Sequence, residues 1–401
     1  PVPAESAHLC LNFMRLPWVG LALHKSPEMI AAIVGCWRVR AAYVPLDPTL
    51  PAARLRSIVD DADASLILSN RCECDVSQFS TNGHLIDWAE CLASEPIEHT
   101  YANGIAHDLA WVIFTSGTTG RPRGVQVEQA GFVNVLDTQR RAFGIETSSR
   151  VLQLYSTSFD ASLSDIGTAL LSGATLCLED AESVAVCGSI LELIHDRRIS
   201  HADIPPSMLE LHADDAAPDC LETVIIGGEV CPPDVVRKWV EQVRVINVYG
   251  PTEATICTSL CECTPAWSRP LLGESLPGVE YKVVDADNLA VSVGQSGELL
   301  IAGECLARGY VKCPDETSRK FITLDGVRYY RTGDRVRLDN DGQCVFLGRL
   351  DRQLKVRGYR IEAEEIESTI KQLTGITRCS VVHRLIQKSS NQKQIVAFVE
   401  S

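Results

Sequence analysis

The sequence predicts an α/β protein with a large N-terminal body of mainly parallel sheets with helices. Three observations predict this class. Up to about Val279, short apolar runs alternate with segments of helical period, as in βαβ units. After Val279 the chain becomes a series of short extended runs separated by Gly, Asp and Asn. After Asp351 a shorter unit with both helical and strand patterns begins.

The elements of the N-terminal body follow one another in a regular order. Helix is predicted in "SPEMIAAIVGCWRVR", an extended segment in "AAYVPLD", helix in "PAARLRSIVDDA" after Pro51, and a buried strand in "ASLILSN". The order recurs in "LAWVIFT", "GVQVE" and the helical "QAGFVNVLDTQRRAF". It recurs again in "ETVIIGG", "PDVVRKWVEQ" and "VRVINVYG". This alternation favours a mainly parallel sheet.

The remainder of the chain predicts two smaller units. "VEYKVVDADNLAV", "GELLIAG" and "VRYYRTGDRVRLDNDGQCVFLGR" predict a β-rich subdomain at about 279–350, with a hairpin turn at "DNDG". A helix in "AEEIESTIKQL" and strands in "CSVVHRL" and "QIVAFVE" predict a small α+β C-terminal subdomain. We therefore divide the chain into a core at 1–350 and an incomplete C-terminal subdomain at 351–401.

Composition excludes several classes of protein. The 401 residues are 45% hydrophobic and 22% charged, as in a soluble globular protein. A net charge of −15 argues against nucleic acid and anionic membranes as partners. No apolar run reaches the roughly 20 residues of a membrane span, and the first residues lack a secretion signal, so we expect a cytoplasmic protein. The 16 cysteines are scattered, and we expect reduced thiols and no zinc site.

The stretch "FTSGTTGRPRG" lies directly behind an apolar strand. A solvent-exposed turn would explain its Ser, Thr and Gly residues. The other interpretation is a phosphate cradle built from backbone N–H groups, the hydroxyls of Thr115, Ser116, Thr118 and Thr119, and the nearby Arg121 and Arg123. The stretch is not a Walker A loop, because no Gly-Lys-Ser/Thr follows at the required spacing.

Three further stretches decide between these interpretations. "NVYGPTE" sets an aromatic ring, which suits a purine, beside Glu253, which suits a magnesium ion between phosphates. "RTGD" offers Asp334 to ribose hydroxyls, and "GRLDRQLKVRGYRIEAEEIE" places basic residues around a glycine-containing loop. Each stretch alone fits a turn or a solvated charge run. Together, in this order, they predict a nucleotide site.

These stretches resemble the adenylation domain of nonribosomal peptide synthetases, in the superfamily of adenylate-forming enzymes that also holds acyl-CoA synthetases and luciferases. The resemblance runs from "AAYVPLDPTLPAARL" through "FTSGTTGRPRG", "FDAS", "NVYGPTE", "GELLIAGECLARGY" and "YRTGD" to "GRLDRQLKVRGYRIEAEEIE", and so covers most of the chain. It implies that the small C-terminal subdomain is mobile and that Asp351 is the hinge.

The resemblance also implies roles for residues around ATP. The first loop would wrap the β- and γ-phosphates, with Arg123 where the family usually has lysine, and Glu253 would bind Mg2+. The implied nucleotide-binding residues are Thr115, Ser116, Gly117, Thr118, Thr119, Gly120, Arg123, Gly228, Glu229, Asn247, Tyr249, Gly250, Thr252, Asp334 and Arg349. The implied catalytic residues are Thr115, Glu253, Arg349 and Lys355.

The implied reaction has two steps. An amino-acid carboxylate attacks the α-phosphorus of ATP and expels pyrophosphate, and the phosphopantetheine thiol of a partner carrier domain then takes the aminoacyl group as a thioester. The implied partners are the amino acid and the peptidyl carrier and condensation domains of a larger synthetase. Catalysis needs positioning and charge neutralisation but no side-chain nucleophile. Neither Ser116 nor Ser158 lies in a Gly-x-Ser-x-Gly elbow, which argues against a serine hydrolase.

Asp160 in "SFDAS" distinguishes amino acids from fatty acids as substrates. A carboxylate at the pocket mouth pairs with a substrate α-ammonium; the alternative is an Asp that caps the next helix. The implied pocket consists of Asp160, Ala161, Ser164, Asp203, Ile225, Gly227, Val248, Ile256 and Cys257. Because several of these residues are small and Asp203 would be a costly second carboxylate without a partner, we expect a sizeable amino acid with a distal amine, hydroxyl or hydroxamate, such as an ornithine derivative. The alternative for Asp203 is a loop carboxylate facing water.

The chain departs from the family at both ends. "PVPAESAHLCLNFMRLPW" does not match the family's first motif, and the sequence stops at "QIVAFVES", before the family's Gly-Lys loop. Lys388 and Lys393 lie in the wrong context to replace that lysine. We expect a fragment or a sequence with dropped residues, which binds ATP and substrate but adenylates poorly. Lys355 is then a candidate for the thioester step, and a surface lysine is the alternative.

Three functions stay open at this point: an amino-acid-activating domain, a ligase for aryl or acyl acids, and a non-catalytic nucleotide-binding remnant. Asp160 favours the first over the second. The intact "TSGTTG", "YGPTE" and "TGD" motifs disfavour the third.

Overall fold

A computed structural model describes residues 18–64, 66–70, 84–93, 105–117, 122–356, 359–373, 375–385 and 393–400. The fold class predicted from the sequence is confirmed. Two seven-stranded sheets with helices form the body, and an antiparallel five-stranded sheet and two small hairpins follow them. The predicted phosphate-loop residues Thr118, Thr119, Gly120 and Arg121, and Lys388 near the C-terminal end, lie outside the described residues.

The first sheet has a parallel centre and antiparallel strands at one side. Its order is β16-β6-β5-β2-β1-β3-β4, and the pairs among β1 to β5 are parallel, whereas β5 to β6 and β6 to β16 are antiparallel. The strands are β1 (Trp18–Ala22), β2 (Ala42–Pro45), β3 (Leu66–Ser69), β4 (His84–Asp87), β5 (Leu109–Thr115), β6 (Arg123–Glu128) and β16 (Gly309–Tyr310). Helices α1 (Pro27–Arg38), α2 (Ala52–Ala62), α3 (Trp88–Ala93) and α4 (Gln129–Phe143) connect or follow them.

The second sheet repeats this plan. Its order is β13-β12-β11-β10-β9-β7-β8, with antiparallel pairing only where β12 and β13 join the edge. The strands are β7 (Arg150–Gln153), β8 (Thr175–Leu178), β9 (His201–Asp203), β10 (Thr223–Gly227), β11 (Arg244–Tyr249), β12 (Ser259–Glu262) and β13 (Glu274–Ser275). The helices are α5 (Ala161–Ser172), α6 (Ala181–Cys187), α7 (Ile190–Arg197), α8 (Pro206–Leu211) and α9 (Pro233–Val240), with a 3-10 turn at Thr252–Ala254.

The β-rich segment forms an antiparallel sheet. It contains β14 (Val279–Val284), β15 (Ser296–Gly303), β17 (Phe321–Leu324), β18 (Val327–Leu338) and β19 (Cys344–Arg349), and helix α10 (Pro314–Lys320) precedes β17. Strands β18 and β19 form the expected hairpin, whose turn is closed by a hydrogen bond from the Asp339 amide to the Gln343 carbonyl at 3.0 Å. Strand β16 differs from its neighbours, because it joins the first sheet through β6.

The C-terminal residues form two hairpins and a helix. The elements are β20 (Gln353–Val356), β21 (Tyr359–Glu362), α11 (Ala363–Lys371), β22 (Arg378–Leu385) and β23 (Lys393–Glu400). The β20–β21 hairpin contacts the body, since the Ser116 hydroxyl donates to the Arg360 carbonyl at 2.9 Å. Arg54 and Glu365 form a second contact, an ion pair at 3.0 Å. The boundary and hinge at Asp351 stay predictions.

Two global properties agree with the composition. Over the described ranges, every cysteine has a free thiol. No helix within those ranges is long and apolar enough to span a membrane.

Candidate active site

A cavity of about 370 Å³ lies where strands of both large sheets end. Ligand sites of α/β proteins occur at the carboxyl ends of parallel strands. The loops after β5, β7, β9, β10 and β11 line the cavity, and the β20–β21 hairpin covers it. The predicted site residues in its wall are Thr115, Ser116, Asp160, Ala161, Ser164, Asp203, Gly227, Gly228, Val248, Tyr249, Gly250, Thr252, Ile256, Asp334, Arg349 and Lys355.

Three predicted site residues lie behind the wall instead. Ile225 is buried in the core of the second sheet, two positions before Gly227 on the same strand. The Cys257 thiol donates to the Ser259 carbonyl at 3.2 Å. The Asn247 amide donates to the Leu271 carbonyl at 2.9 Å and so holds a loop. These three residues therefore do not line the cavity.

Arg123, at the usual position of the family's lysine, also points elsewhere. Its guanidinium donates to Glu316 on α10 at 2.7 Å and lies 5.8 Å from the centre of the Tyr310 ring. Arg123 is buried in this environment. A direct contact with phosphate would require it to leave Glu316. Gly117 is likewise buried, and neither Gly117 nor Glu229 lines the cavity.

Asp334 is held in place by two predicted nucleotide-binding residues. The Tyr249 hydroxyl donates to its Oδ2 at 2.5 Å, and Arg349 donates to its Oδ1 at 2.7 Å. Arg349 also donates to both carboxylate oxygens of Asp351, at 2.8 and 2.5 Å. The pKa of the Arg349 guanidinium is raised because these hydrogen bonds and charges outweigh its burial. A buried carboxylate and an aromatic ring thus face the cavity from one wall.

Glu253 has the environment of a permanent anion. It is 0% exposed, and Arg360 of the β20–β21 hairpin donates to both carboxylate oxygens at 2.9 and 2.8 Å. The Tyr310 hydroxyl donates to it at 2.7 Å. Burial alone would raise the pKa of Glu253, but the Arg360 charge and these hydrogen bonds outweigh burial and lower the pKa to about 2.

This arrangement tests the predicted Mg2+ site. Mg2+ is usually held by one or two carboxylates together with substrate phosphates, so the carboxylate of Glu253 is a suitable type of ligand for it. Both of its oxygens are bound by Arg360, however, so the ion does not fit while the hairpin is docked. No group of three or more His, Cys, Asp or Glu side chains suited to a metal occurs in the described part of the chain.

Asp160 lies at the N-terminal end of α5 without capping it. Its side chain accepts no capping hydrogen bond, so the capping alternative is wrong. Its Oδ2 atom is buried and has no hydrogen-bond partner among the residues that are described. Burial raises the pKa of this carboxyl to about 6, against the opposing hydrogen bond from Thr252. A buried acceptor that lines a cavity and has no hydrogen-bond partner is a binding position for a donor or a cation.

Asp203 lines the cavity and is 8% exposed. The alternative of a loop carboxylate facing water is therefore wrong. The Tyr155 hydroxyl donates to its Oδ1 at 3.1 Å. Desolvation raises the pKa of Asp203 to about 7.

The backbone of the pocket wall is tightly constrained. A Cβ atom on Gly250 would lie 2.4 Å from the Ile256 carbonyl, and one on Gly227 would lie 2.6 Å from a methyl of Val248. Thr255 and Ile256 have positive φ angles of 57° and 65°. A positive φ is rare for β-branched residues and costs of order 1–3 kcal/mol. Such strain is typical of binding sites.

Lys355 of β20 reaches the cavity from the hairpin side. Burial lowers its pKa, as do the charges of Arg349 and Arg360, while Asp334 and Glu229 oppose this. Within the described ranges its ammonium makes no hydrogen bond or ion pair. Lys355 is half-buried in the cavity wall, so the alternative of a surface lysine is wrong.

Sequence reasoning missed several residues of the site. Gln139 and Tyr155 line the cavity, and Arg360 closes it through Glu253. Arg360 lies in the basic stretch after Gly348. The direction of its side chain toward Glu253 depends on the strand pairing in the β20–β21 hairpin, which the sequence does not show. Gln139 and Tyr155 follow no motif, and no signal in the sequence indicates them.

Comparisons with known proteins agree with this geometry. The sequence profile of the family described as AMP-binding enzyme matches residues 11–311. A linear gramicidin synthase polypeptide of Brevibacillus parabrevis is 39% identical over 386 residues, which are 95% of this chain and 8% of that protein. The chain thus spans a small part of the length of this curated relative.

Two solved structures share the fold over nearly the whole chain. A four-domain nonribosomal peptide synthetase bound to AMP and glycine is 31% identical, with a TM-score of 0.76, over 96% of this chain and 29% of that one. A nonribosomal peptide synthetase protein containing adenylation and PCP domains, bound to a vinylsulfonamide inhibitor, is 26% identical, with a TM-score of 0.83, over 98% and 70%.

Proposed function

Because the chain belongs to the AMP-binding enzyme family and is an adenylation domain of the nonribosomal peptide synthetase type, we propose that it activates an α-amino acid with ATP. The products of this step would be an aminoacyl-adenylate and pyrophosphate. We further propose that the aminoacyl group passes to the phosphopantetheine thiol of a carrier domain. The four-domain relative bound to AMP and glycine supports both the nucleotide and the kind of acid.

The observation that carries the proposal is the open carboxylate of Asp160. Its buried Oδ2 has no partner in the described part of the chain, and it faces the cavity at the end of α5. The α-ammonium of an amino acid would satisfy it, whereas a fatty acid or an aryl acid without an amine would leave it unpaired. An unpaired buried acceptor costs about 1–3 kcal/mol, more for a charged group. The site therefore favours amino acids over the acids that lack an amine.

The chain's own residues would position the reactants. Tyr249 would present its ring to the base, and Asp334, fixed by Tyr249 and Arg349, would accept from the ribose hydroxyls. Thr115 and Ser116 lie at the cavity edge where phosphates would lie. The site offers no side-chain nucleophile and needs none, since positioning and charge neutralisation drive attack on phosphorus.

The positions of Arg360 and Lys355 support the proposal that this arrangement serves the second step. With Arg360 on Glu253, the hairpin covers the site and no cation is needed there. We propose that the hairpin leaves, with Asp351 as the hinge, when Glu253 binds Mg2+ for the first step. Lys355, with an ammonium that no described residue binds, would face the adenylate during thioester formation.

The partners follow from this reaction. A peptidyl carrier domain must supply the thiol, and the relative containing adenylation and PCP domains supports this pairing. A condensation domain of the same synthetase would then consume the thioester. The buried Asp203 in the cavity wall supports an amino acid with a distal amine, hydroxyl or hydroxamate.

ATP–pyrophosphate exchange on the full-length protein tests this proposal. The panel holds amino acids, aryl acids and fatty acids, each at the same concentration. Exchange with one α-amino acid, and none with its des-amino analogue, is the expected result. Exchange with aryl or fatty acids alone would make the protein a different acid ligase, and no exchange by an intact chain would make it a nucleotide-binding remnant.

A further inference from the structure

The loop that follows β7 forms one wall of the cavity and ends at Asp160. We call residues 154–160 the acid-site loop, because it carries the open carboxylate. Although the loop belongs to the second sheet, two side chains of the first sheet, Lys25 and Asp47, bind it. The members of the loop in the cavity wall are Tyr155, Ser156, Ser158, Phe159 and Asp160.

Lys25 reaches the start of the acid-site loop. It lies in the connection between β1 and α1 and is half-buried. Its ammonium donates to the carbonyls of Leu154 at 2.7 Å and Glu179 at 2.6 Å, and at a longer distance of 3.4 Å to that of Gln153. These carbonyls lie at the ends of the neighbouring strands β7 and β8. Lys25 therefore fixes the point at which the loop leaves the second sheet.

Asp47 binds the middle of the acid-site loop. It follows β2 of the first sheet and lines the cavity. The Ser156 hydroxyl donates to Asp47 Oδ2 at 2.5 Å, and the same hydroxyl accepts from the Ser158 amide at 3.2 Å. Asp47 Oδ1 accepts from the amide and the hydroxyl of Thr49 at 3.0 and 2.7 Å, which orients the carboxylate. The loop is thus tied to the first sheet at two points.

The ammonium of Lys25 occupies this position at a cost. Burial of a charged group is unfavourable unless the charge is paired, and Lys25 has no ion pair among the residues that are described. Burial lowers the pKa of Lys25 to about 8, although the charges of Asp165, Asp180, Asp47 and Glu179 oppose this. An apolar side chain would avoid the cost but would leave the carbonyls at the two strand ends without their donor. What Lys25 provides is the position of these carbonyls.

The anchored part of the loop is connected directly to Asp160. The Phe159 amide donates to the Ser156 carbonyl at 2.9 Å and closes a turn that begins at Ser156. The Leu163 amide of α5 then donates to the Asp160 carbonyl at 2.9 Å. A shift of Ser156 would therefore move the turn and, with it, the carboxylate that immediately follows.

We propose that Lys25 and Asp47 form a cross-sheet clamp that positions the acid-site loop, and with it Asp160, for the α-ammonium of the amino acid. This inference rests on the proposed function and adds two positioning residues to it. Lys25 does not line the cavity, so it acts through the loop and does not touch the substrate. Tyr249 and Asp334 lie outside the loop, so the clamp should affect the amino acid more than ATP.

Lys25→Met tests the clamp in the exchange assay on the full-length protein, with the amino acid that the wild-type protein exchanges fastest. The change removes the donors and keeps most of the side-chain volume. A displacement of about 1 Å caused from outside a site can cost about 100-fold in rate, so kcat/KM for the amino acid should fall about 10- to 100-fold. The KM for ATP should stay within about twofold of the wild-type value.

Lys312→Met is the matched control. Lys312 also donates to a backbone carbonyl, that of Asp60 at 3.4 Å, but it contacts neither the cavity nor the acid-site loop. Both KM values should therefore equal those of the wild-type protein.

A double substitution separates positioning from general destabilisation. If Lys25 acts through Asp160, Lys25→Met should lower kcat/KM for the amino acid by less than about threefold in the Asp160→Asn background. A loss that comes from weakened folding should instead add in full to the loss from Asp160→Asn. Additive losses would overturn the role of Lys25.

Ser156→Ala carries the test even if Lys25→Met does not fold, because it removes a single oxygen atom. It should raise the amino-acid KM and leave the ATP KM unchanged. It should add nothing to Asp47→Ala, since both substitutions remove the same hydrogen bond. If Ser156→Ala has its full effect in the Asp47→Ala background, its hydroxyl does not act through Asp47 and the clamp is overturned.

Failure of the inference and failure of the proposed function give different results. Wild-type kinetics in Lys25→Met, or equal losses for the amino acid and ATP, would overturn the clamp and leave amino-acid activation intact. Absence of exchange by the wild-type protein with every amino acid would refute the proposed function, and the inference would fall with it.

Discussion

Replacement of Asp160 by Asn tests the role of the open carboxylate. The change keeps the shape of the side chain and removes its charge. Asp160 Oδ2 has no partner in the part of the chain that is described, so the replacement breaks no contact of that atom within the free protein. Its effect on catalysis should therefore come from the substrate α-ammonium.

The loss can be sized from the interaction that disappears. A hydrogen bond to a charged group contributes about 1.5–3 kcal/mol. At about 1.4 kcal/mol per tenfold, kcat/KM for the amino acid should fall roughly 10- to 150-fold. The KM for ATP should change less, because the hydrogen bonds that hold Asp334 come from Tyr249 and Arg349 and do not involve Asp160.

The same substitution should stabilise the protein at high pH. The pKa of Asp160 is raised from 3.8 to about 6, so the folded state holds the proton more tightly than the unfolded chain. Stability is therefore lost as the pH rises from about 4 to about 6, by about 3 kcal/mol in all. Asp160→Asn removes this penalty, so its Tm should exceed that of the wild-type protein at pH 8 and equal it below pH 4.

Asp180→Ala is the matched control at another helix start. Asp180 does cap its helix, α6, by accepting from the Ser183 amide at 2.8 Å. Its removal should cost about 1 kcal/mol of stability and leave kcat/KM unchanged. The reasoning is refuted if Asp160→Asn keeps kcat/KM within threefold of the wild-type value, or if it lowers the Tm at pH 8.

Three further predictions concern other walls of the site. Arg360→Gln leaves the buried Glu253 without its cationic partner, which costs about 3–5 kcal/mol in the docked state. Carrier loading should therefore slow more than tenfold in single-turnover assays while pyrophosphate exchange persists; equal slowing of both would contradict this. Tyr249→Phe removes one of the two side-chain donors that hold Asp334, and isothermal titration should show ATP binding weakened about 5- to 100-fold. Unchanged affinity would argue against ribose recognition there. Gly227→Ala places a Cβ 2.6 Å from a side chain of the next strand, so the amino-acid KM should rise and the ATP KM should not.

Local periodicity predicted some of the helices and strands of the body. The helix predicted in "QAGFVNVLDTQRRAF" coincides with Gln129–Phe143, because its apolar positions repeat at the helical period and Gly144 ends it in the left-handed conformation. The strand Gly309–Tyr310 was not predicted. Its two residues carry no pattern, and only long-range pairing with β6 makes it a strand.

The motifs correctly predicted those residues of the cavity wall that lie at the end of a strand or at the start of a helix. Asp160, Gly227 and Tyr249 all line the cavity as expected. Ile225 lies on the same strand face as Gly227 but is buried in the core. The alternation of side chains along a strand predicts which face a residue occupies, but not whether the residue reaches the cavity or the core.

Contacts between distant segments were not predictable. Arg360 meets Glu253 across more than a hundred residues of chain, and this pairing excludes the expected Mg2+ in the docked arrangement. Ser116 likewise meets Arg360 of the β20–β21 hairpin, since its hydroxyl donates to the Arg360 carbonyl at 2.9 Å. Such pairs arise from tertiary packing and leave no local signature.

Trapping of the activated acid tests the central claim most directly. The full-length protein is incubated with ATP, an equimolar mixture of amino, aryl and fatty acids, and hydroxylamine, and the hydroxamates and nucleotides are identified by mass spectrometry. The account predicts the hydroxamate of an α-amino acid, formed together with AMP and pyrophosphate. Hydroxamates of acids without an amine, or ADP in place of AMP, would contradict it.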